Sequence, residues 1–375
     1  MRVLHFYRTY SQTYGGIEQV IHQLCTGTQR LGVTPEVLTL SRDRHSSEIN
    51  IDGHRVMRVP MDFEIASTGF SRAVFAQFKE HARDADIIHY HFPWPFMDVV
   101  HFATQVSRMG KPTLVTYHSD IVRQKFLLQL YRPLMHRFLE SVDHIVASSP
   151  NYLASSPLLS RYREKTSVIP YGLDKNSTRY PVPDVARLEM WRQRLGGPFF
   201  LFVGVLRYYK GLHILLDAMQ GRNYPVVIMG AGSIEAELKA HAQRHQLKNI
   251  LFLGALPDED KVALLKLCHA LVFPSHLRSE AFGISLLEGA MYGKPMISSE
   301  IGTGTSYINL NNETGLVVPP SNPAAFREAM DTLWQEPEKA TQMGKRAALR
   351  YETLFTAEQM ASRYLALYKQ LLAER

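Results

Sequence analysis

The chain has 375 residues, enough for two or three domains and long enough to bury about three quarters of its unfolded surface, so its stability needs no disulfide or metal staple. A composition of 45% hydrophobic and 21% charged residues excludes intrinsic disorder and fibrous repeats, and no apolar run reaches the roughly 18 residues that span a bilayer. Lys and Arg total 42 against 35 Asp and Glu, a net charge of +7 spread over both halves, which favours anionic ligands such as phosphates or acidic headgroups without choosing among them. Cys25 and Cys268 are far apart in sequence, so no structural disulfide and a reducing, cytosolic location are expected. No Cys or His cluster with metal-ligand spacing is read from the sequence.

Met1-Arg2-Val3-Leu4-His5-Phe6-Tyr7 reads as a first β-strand and not as a signal peptide. Short runs rich in Val, Ile and Leu follow at 34–40, 54–59, 86–91, 112–117, 143–147 and 166–169. Helical patterns at 17–31, 70–83 and 121–140 separate several of them. This alternation implies βαβ units and a parallel sheet covered on both faces. Residues 174–197, with Pro181, Pro183, Gly196 and Gly197, read as a linker followed by a helix at 188–195. Strand patterns resume at 199–203, 225–229, 249–253, 270–273 and 295–299, with helices at 211–219, 233–246, 258–267 and 283–292. The tail, 323–374, reads as three helices. The expected architecture is α/β, two doubly wound Rossmann-like parallel-sheet domains facing a cleft. The boundaries are 1–173 and 174–355, with a terminal helix, 356–375, returning to the first domain.

In such folds ligands bind beyond the carboxyl ends of the strands. Three loops sit there. Tyr14-Gly15-Gly16-Ile17-Glu18 follows the first strand and opens a helix, where glycines allow close approach and helix N–H groups attract anions; a plain strand-to-helix turn is the other reading. Met229-Gly230-Ala231-Gly232-Ser233 is a tight βα turn, with or without ligand contact. Arg207-Tyr208-Tyr209-Lys210-Gly211 places a fork of donors and a point charge after strand 199–203, suited to a diphosphate or, alternatively, simply solvated.

The segment Ser279-Glu280-Ala281-Phe282-Gly283-Ile284-Ser285-Leu286-Leu287-Glu288-Gly289 is the most informative. With a helix starting near Gly283, Glu280 lies on the loop and Glu288 about 7–8 Å along the axis. The open N–H groups of the first turn lie between them, a site for a diphosphate flanked by two carboxylates that can accept hydroxyl hydrogen bonds. A capping glutamate plus a surface glutamate is the bland alternative.

Glu280 and Glu288 flank seven residues, and this E-x7-E pattern resembles that of retaining glycosyltransferases of family 4. Further matches are Gly15-Gly16-Ile17-Glu18, Asp86-Ile87-Ile88-His89-Tyr90-His91, Thr116-Tyr117-His118-Ser119-Asp120, Ile169-Pro170-Tyr171-Gly172-Leu173-Asp174, Lys210-Gly211 and Thr314-Gly315-Leu316-Val317-Val318-Pro319. The resemblance implies a GT-B fold in which Glu280 contacts the transferred sugar, Glu288 holds the ribose, and N–H groups of Phe282, Gly283 and Ile284 face the diphosphate or sugar. It places Arg207 and Lys210 on the leaving diphosphate, Gly15 and Gly16 against it from the first domain, and His118 near the reacting face. Two positions depart from the family. Val205 stands where an Arg is common, with Arg207 two residues later, and Tyr307 stands where a glutamate is common.

No second carboxylate suits a double displacement. The resemblance implies instead a same-face substitution in which the leaving phosphate deprotonates the acceptor, helped by cations and helix N-termini, with no metal and no cofactor beyond the nucleotide-sugar donor. The Asp84-Ala85-Asp86 pair lies at the amino end of a strand, away from such a site. His89 and His91 read as structural histidines. The segment from Arg123 to Phe138 mixes apolar groups with cations, and it either contacts an acidic membrane surface or packs on its own domain. Phe92-Pro93-Trp94-Pro95-Phe96 either stacks on an acceptor sugar or packs in the core. The overall resemblance implies transfer of mannose from GDP-mannose, or a hexose from a UDP donor, to a glycan or lipid-linked oligosaccharide in bacterial polysaccharide or O-antigen assembly. It implies a cytoplasmic enzyme, either free or in peripheral contact with the inner face of the cell membrane. Epimerase, phosphorylase and noncatalytic nucleotide-sugar-binding readings share the fold, but no acid-base carboxylate set or singled-out lysine supports the first two. The dispersed charge argues against nucleic acid as a partner.

Overall fold

The computed structural model describes residues 1–11, 15–65, 68–121 and 125–375. These form two compact units, Met1–Gly172 with Thr356–Arg375, and Leu173–Phe355.

In the first unit the strands are β1 (Arg2–Thr9), β2 (Thr34–Ser41), β3 (Ser47–Ile51), β4 (His54–Pro60), β5 (Phe63–Ile65), β6 (Thr68–Phe70), β7 (Ile87–Phe92), β8 (Thr113–Tyr117), β9 (His144–Ala147) and β10 (Thr166–Val168). Helices α1 (Gly16–Gln29), α2 (Val74–Asp84), α3 (Pro95–Ala103), α4 (Lys125–Ser141), α5 (Pro150–Ser155) and α6 (Pro157–Arg161) lie among them. Eight strands pair in the order β10-β9-β8-β7-β1-β2-β4-β3. All pairs are parallel except β3–β4. Every residue of β7 is buried, as expected of a strand covered on both faces. The β3–β4 hairpin, absent from the pattern reading, turns at Asp52-Gly53. Both residues have positive φ (46° and 93°), and the Gly53 N–H donates to Asn50 Oδ1 at 2.9 Å. That dipeptide is a strong hairpin signal, because the turn it favours matches the twist of the flanking strands.

The second unit contains α7 (Val185–Leu195), β11 (Phe200–Val203), α8 (Leu212–Ala218), β12 (Val226–Met229), α9 (Glu235–Arg244), β13 (Ile250–Gly254), α10 (Asp258–Leu267), β14 (Ala270–Phe273), α11 (Ile284–Met291), β15 (Met296–Ser299), α12 (Thr305–Ile308), β16 (Gly315–Val318), α13 (Pro323–Gln335) and α14 (Pro337–Leu354). Its parallel sheet runs β13-β12-β11-β14-β15-β16, the 3-2-1-4-5-6 order of a Rossmann sheet. The order reverses between β11 and β14, the switch point beyond whose strand ends ligands bind in such sheets. Two glycine turns are explained by packing. A Cβ on Gly230 would lie 1.9 Å from the Gly204 carbonyl oxygen, and one on Gly232 2.2 Å from that of Leu206. The Met229–Gly232 turn is therefore pressed onto the loop after β11, where Gly204 and Leu206 donate to Met229 and Ala231 carbonyls at 3.0 Å.

The last helix, α15 (Ala357–Ala373), belongs to the first unit and packs on α1. Contact is close at Gly27, where a Cβ would come within 2.8 Å of the Ala361 methyl. Tyr364 and Tyr368 on its buried face reach the sheet, the first through Thr116 and the second through His89.

Candidate active site

In the second unit the loops after β11 and β14 carry the charged groups. Gly211 has φ +69°, and a Cβ there would sit 2.0 Å from the Pro274 carbonyl oxygen. The Lys210-Gly211 corner is thereby pressed against the end of β14, which delivers the Lys210 ammonium to the Glu280 carboxylate in a nearly buried ion pair. Ser275 Oγ donates to the same oxygen at 3.2 Å. The ammonium also lies over the Phe273 ring, 5.0 Å from its centroid. Burial pulls the Lys210 pKa down, but the Glu280 charge, helped by Tyr209 and the hydrogen bond, outweighs it, so the pKa is raised and the lysine stays a cation. Arg207 is exposed at the start of the same loop. Among the described residues it makes no ion pair.

Helix α11 begins one residue after Gly283, whose φ of +99° reserves the position for glycine. The N–H groups that open the helix lack intrahelical acceptors. Ser285 Oγ donates to the last carbonyl of β11, Val203, at 2.7 Å, which fixes this helix end beside the Lys210 loop. Phe282 is buried, and the Gly302–Tyr307 loop rests against it. Gly304 donates to the Ala281 carbonyl at 2.9 Å and lies so close that a Cβ would come 2.5 Å from the Phe282 ring. The Tyr307 ring is occupied by the Arg350 guanidinium, 5.1 Å from its centroid, and by the edge of Phe355.

Glu288 is buried inside α11. Its Oε1 accepts from Tyr180 Oη at 3.0 Å and from Lys261 Nζ at 3.2 Å. Lys261 in turn pairs with Asp258 at 3.1 Å and sits over the Tyr180 ring. The sequence reading missed Lys261 and Tyr180. The available signal was Lys261 as a lone cation on the buried face of a helix otherwise running Val262-Ala263-Leu264-Leu265, all buried.

In the first unit Gly15 caps α1 in an extended conformation and Gly16 is its first residue. The Glu18 carboxylate folds back over Gly15, leaving 2.6 Å to where a Cβ would be, and accepts from Thr9 Oγ1 at 2.7 Å. Tyr14 lies outside the described residues. His118 follows β8, with its N–H bonded to the Phe92 carbonyl at 2.9 Å. Its side chain turns inward. Nε2 meets His91 Nδ1 at 3.0 Å and Nδ1 meets Tyr171 Oη at 2.6 Å. Burial lowers its pKa to about 3, so the ring is neutral. Two groupings of histidines and acids that sequence spacing does not show are brought together by the fold. His5, His89 and His91 converge in the core, and Asp217, His241 and His245 on the second unit. In the first, all ring nitrogens but His5 Nε2 are taken by hydrogen bonds. In the second, His241 pairs with Asp217 at 2.9 Å.

The aromatics of the Phe92–Phe96 loop are core residues. Trp94 is buried and donates to the Gly69 carbonyl at 3.2 Å. Asp86 accepts from the Arg2 N–H at 2.7 Å and so fixes the start of the sheet. Of the basic and apolar segment from Arg123 to Phe138, Arg123 and Gln124 lie outside the described residues. Beyond them Met135 and Phe138 are buried, Arg132 and Arg137 are exposed, and Leu130 is 71% exposed.

Two Rossmann-like parallel-sheet units are the architecture of a GT-B glycosyltransferase. Residues 14–177 match the family model for Glycosyltransferase Family 4, and residues 189–350 match that for Glycosyl transferases group 1. The chain is 65% identical over 358 residues to D-rhamnosyltransferase WbpZ of Pseudomonas aeruginosa, covering 95% of this chain and 93% of that protein. It is 52% identical over 376 residues to O-antigen chain mannosyltransferase C of Escherichia coli, covering 100% of both. Among solved structures it is similar to sucrose-phosphate synthase from Thermosynechococcus elongatus, with a TM-score of 0.79 and 22% identity over 100% of both chains, a likeness of fold. The chain is a glycosyltransferase and belongs to the GT-B family that contains these two bacterial enzymes.

Proposed function

We propose that the protein transfers a manno-configured hexose from a GDP-sugar to a hydroxyl of a lipid-linked or polysaccharide acceptor, with retention at the anomeric carbon. Mannose and D-rhamnose share every ring stereocentre and differ only in the 6-hydroxyl. Relatives named for these two sugars therefore support a site shaped for the manno configuration. The name of the Escherichia coli relative also supports a role in O-antigen assembly, which fits a cytoplasmic enzyme working at the membrane face. No helix among the described residues is long and apolar enough to cross a membrane.

The observation that carries the reading is the pairing of Lys210 with Glu280 at the switch point, beside the N-terminus of α11. Lys210, Arg207 and the N–H groups of Gly283 and Ile284 face the diphosphate, and Glu280 accepts from a sugar hydroxyl. Glu288, held by Lys261 and Tyr180, accepts from the ribose. As the bond from the anomeric carbon to the diphosphate oxygen breaks, the cations and helix dipole stabilise the charge on that oxygen. The same oxygen takes the acceptor proton while the acceptor attacks from the same face. The side chains supply the positive charge, and the reaction needs no divalent metal. Transfer assays with GDP-mannose and its 6-deoxy counterpart, in chelator, test this. Lys210→Ala should lower turnover by orders of magnitude with either donor. Turnover like the wild type in that variant, or transfer only with added metal, would overturn the scheme.

A further inference from the structure

The core of the first unit contains a chain of imidazoles that the transfer chemistry does not use. His5 on β1, His91 on β7 and His118 after β8 line up across three adjacent strands. His5 Nδ1 lies 3.1 Å from His91 Nε2, His91 Nδ1 3.0 Å from His118 Nε2, and His118 Nδ1 2.6 Å from Tyr171 Oη. The three rings are at most 3% exposed and stack pairwise, 5.3–5.4 Å between centroids. At the far end His5 Nε2 is buried and has no hydrogen-bond partner among the described residues.

A neutral imidazole has one donor nitrogen and one acceptor nitrogen. Burial, the largest cause at each ring, lowers the pKa values of His5 and His118 to about 3 and that of His91 well below its ordinary value, so all three are neutral near pH 7. Three neutral rings joined N to N must then point their N–H bonds in one direction. If the bonds run toward His5, a buried N–H is left at His5 Nε2, and orphaned buried N–H groups are rare. If they run toward Tyr171, only a ring lone pair is left over. The phenol then accepts from His118 and can donate its own O–H to the Ser148 hydroxyl, which faces it and, among the described residues, has no other hydrogen-bond partner. The second arrangement leaves less unsatisfied.

We propose that His91 and His5 are positioning residues that lock His118 as its Nδ1–H tautomer, donating to Tyr171. This rests on the reading that His118 borders the reacting sugar. It deepens that reading: with both ring nitrogens spent inside the fold, the His118 side chain is a fixed wall and not a base. Acceptor deprotonation is then left to the leaving phosphate.

Long-range proton–nitrogen correlation spectra of the full chain labelled with nitrogen-15 histidine test the lock directly. With the ring signals assigned to residues through the backbone, His5, His91 and His118 are each expected as Nδ1–H rings that do not titrate between pH 5.5 and 8. An Nε2–H tautomer or a charged ring at any of these three would overturn it. Kinetics test the positioning role. A glutamine side chain both donates and accepts, so His91→Gln should keep kcat within a few-fold, whereas His91→Leu should lose at least tenfold in kcat with donor KM nearly unchanged. Equal kcat in a folded His91→Leu protein, or an equal loss in both variants, would refute that role. If neither variant folds, the spectra of the unaltered protein still decide. Full turnover in His118→Ala would refute the sugar-bordering reading and the positioning role with it, while leaving the tautomer result intact.

Discussion

At the scale of single residues, the two glutamates of the E-x7-E segment differ in their surroundings. Glu280 pairs with Lys210 and accepts from a serine; Glu288 sits deeper, with Lys261 and Tyr180. Removing one member of a buried ion pair leaves the other uncompensated, which typically costs about 3–5 kcal/mol. Lys261→Met should therefore destabilise the second unit by about 3 kcal/mol, read from the denaturant midpoint, and the Lys261→Met/Glu288→Gln pair should recover part of that loss. Strict additivity of the two changes would show that they do not interact. The sequence made Glu280 and Lys210 visible because both lie on loops that follow a strand, and Glu288 because it stands a fixed eight residues after Glu280, inside the helix and beside Gly289. Lys261 was hidden inside a helix whose partner, α11, approaches it only in the fold. His91 and His118 lie 27 positions apart and meet only because β7 and β8 are neighbours in register.

At the scale of elements, the short turns decide where the charges stand. Gly211 and Gly254 both have positive φ, +69° and +70°, but only Gly211 has a backbone atom in the way of a side chain. Gly254→Ala should cost the left-handed backbone penalty alone, about 1–2 kcal/mol. Gly211→Ala should cost clearly more and also lower kcat, since the Lys210 corner must leave β14. Thermal melts and initial rates of both variants check this, and equal costs would contradict the packing argument. Alternating strand and helix patterns made the Rossmann-like sheets legible, because fully buried parallel strands are continuous apolar runs. Strands β3, β5, β6 and β16 were not read. The first three lie off the parallel core in antiparallel pairs, and β16 is a four-residue edge strand. The Asp52-Gly53 turn was the usable sign for β3.

At the scale of the whole molecule, the first unit concentrates buried neutral histidines: His5, His54, His89, His91, His101 and His118. Burial is the largest cause of the lowered pKa in each, to about 3 for His5 and His118 and about 4 for His54 and His101. In the unfolded chain these groups bind protons near pH 6.5, while the folded unit resists until far lower. The unfolded state therefore holds more protons below pH 6.5, and stability falls as pH falls, by up to about 1.4 kcal/mol per pH unit for each such group. Melting followed between pH 7.5 and 5 should show the first unit losing stability steeply below pH 6.5; a flat profile would contradict its neutral histidine core. The central claim concerns the second unit, that Glu288 and the groups around α11 hold a GDP-sugar without metal. Calorimetric titration with GDP and with UDP, in chelator, on the wild type and Glu288→Ala, tests it most directly. The account predicts saturable GDP binding that is stronger than UDP binding and is lost in the variant. GDP binding that survives Glu288→Ala, or that appears only with a divalent cation, would contradict it.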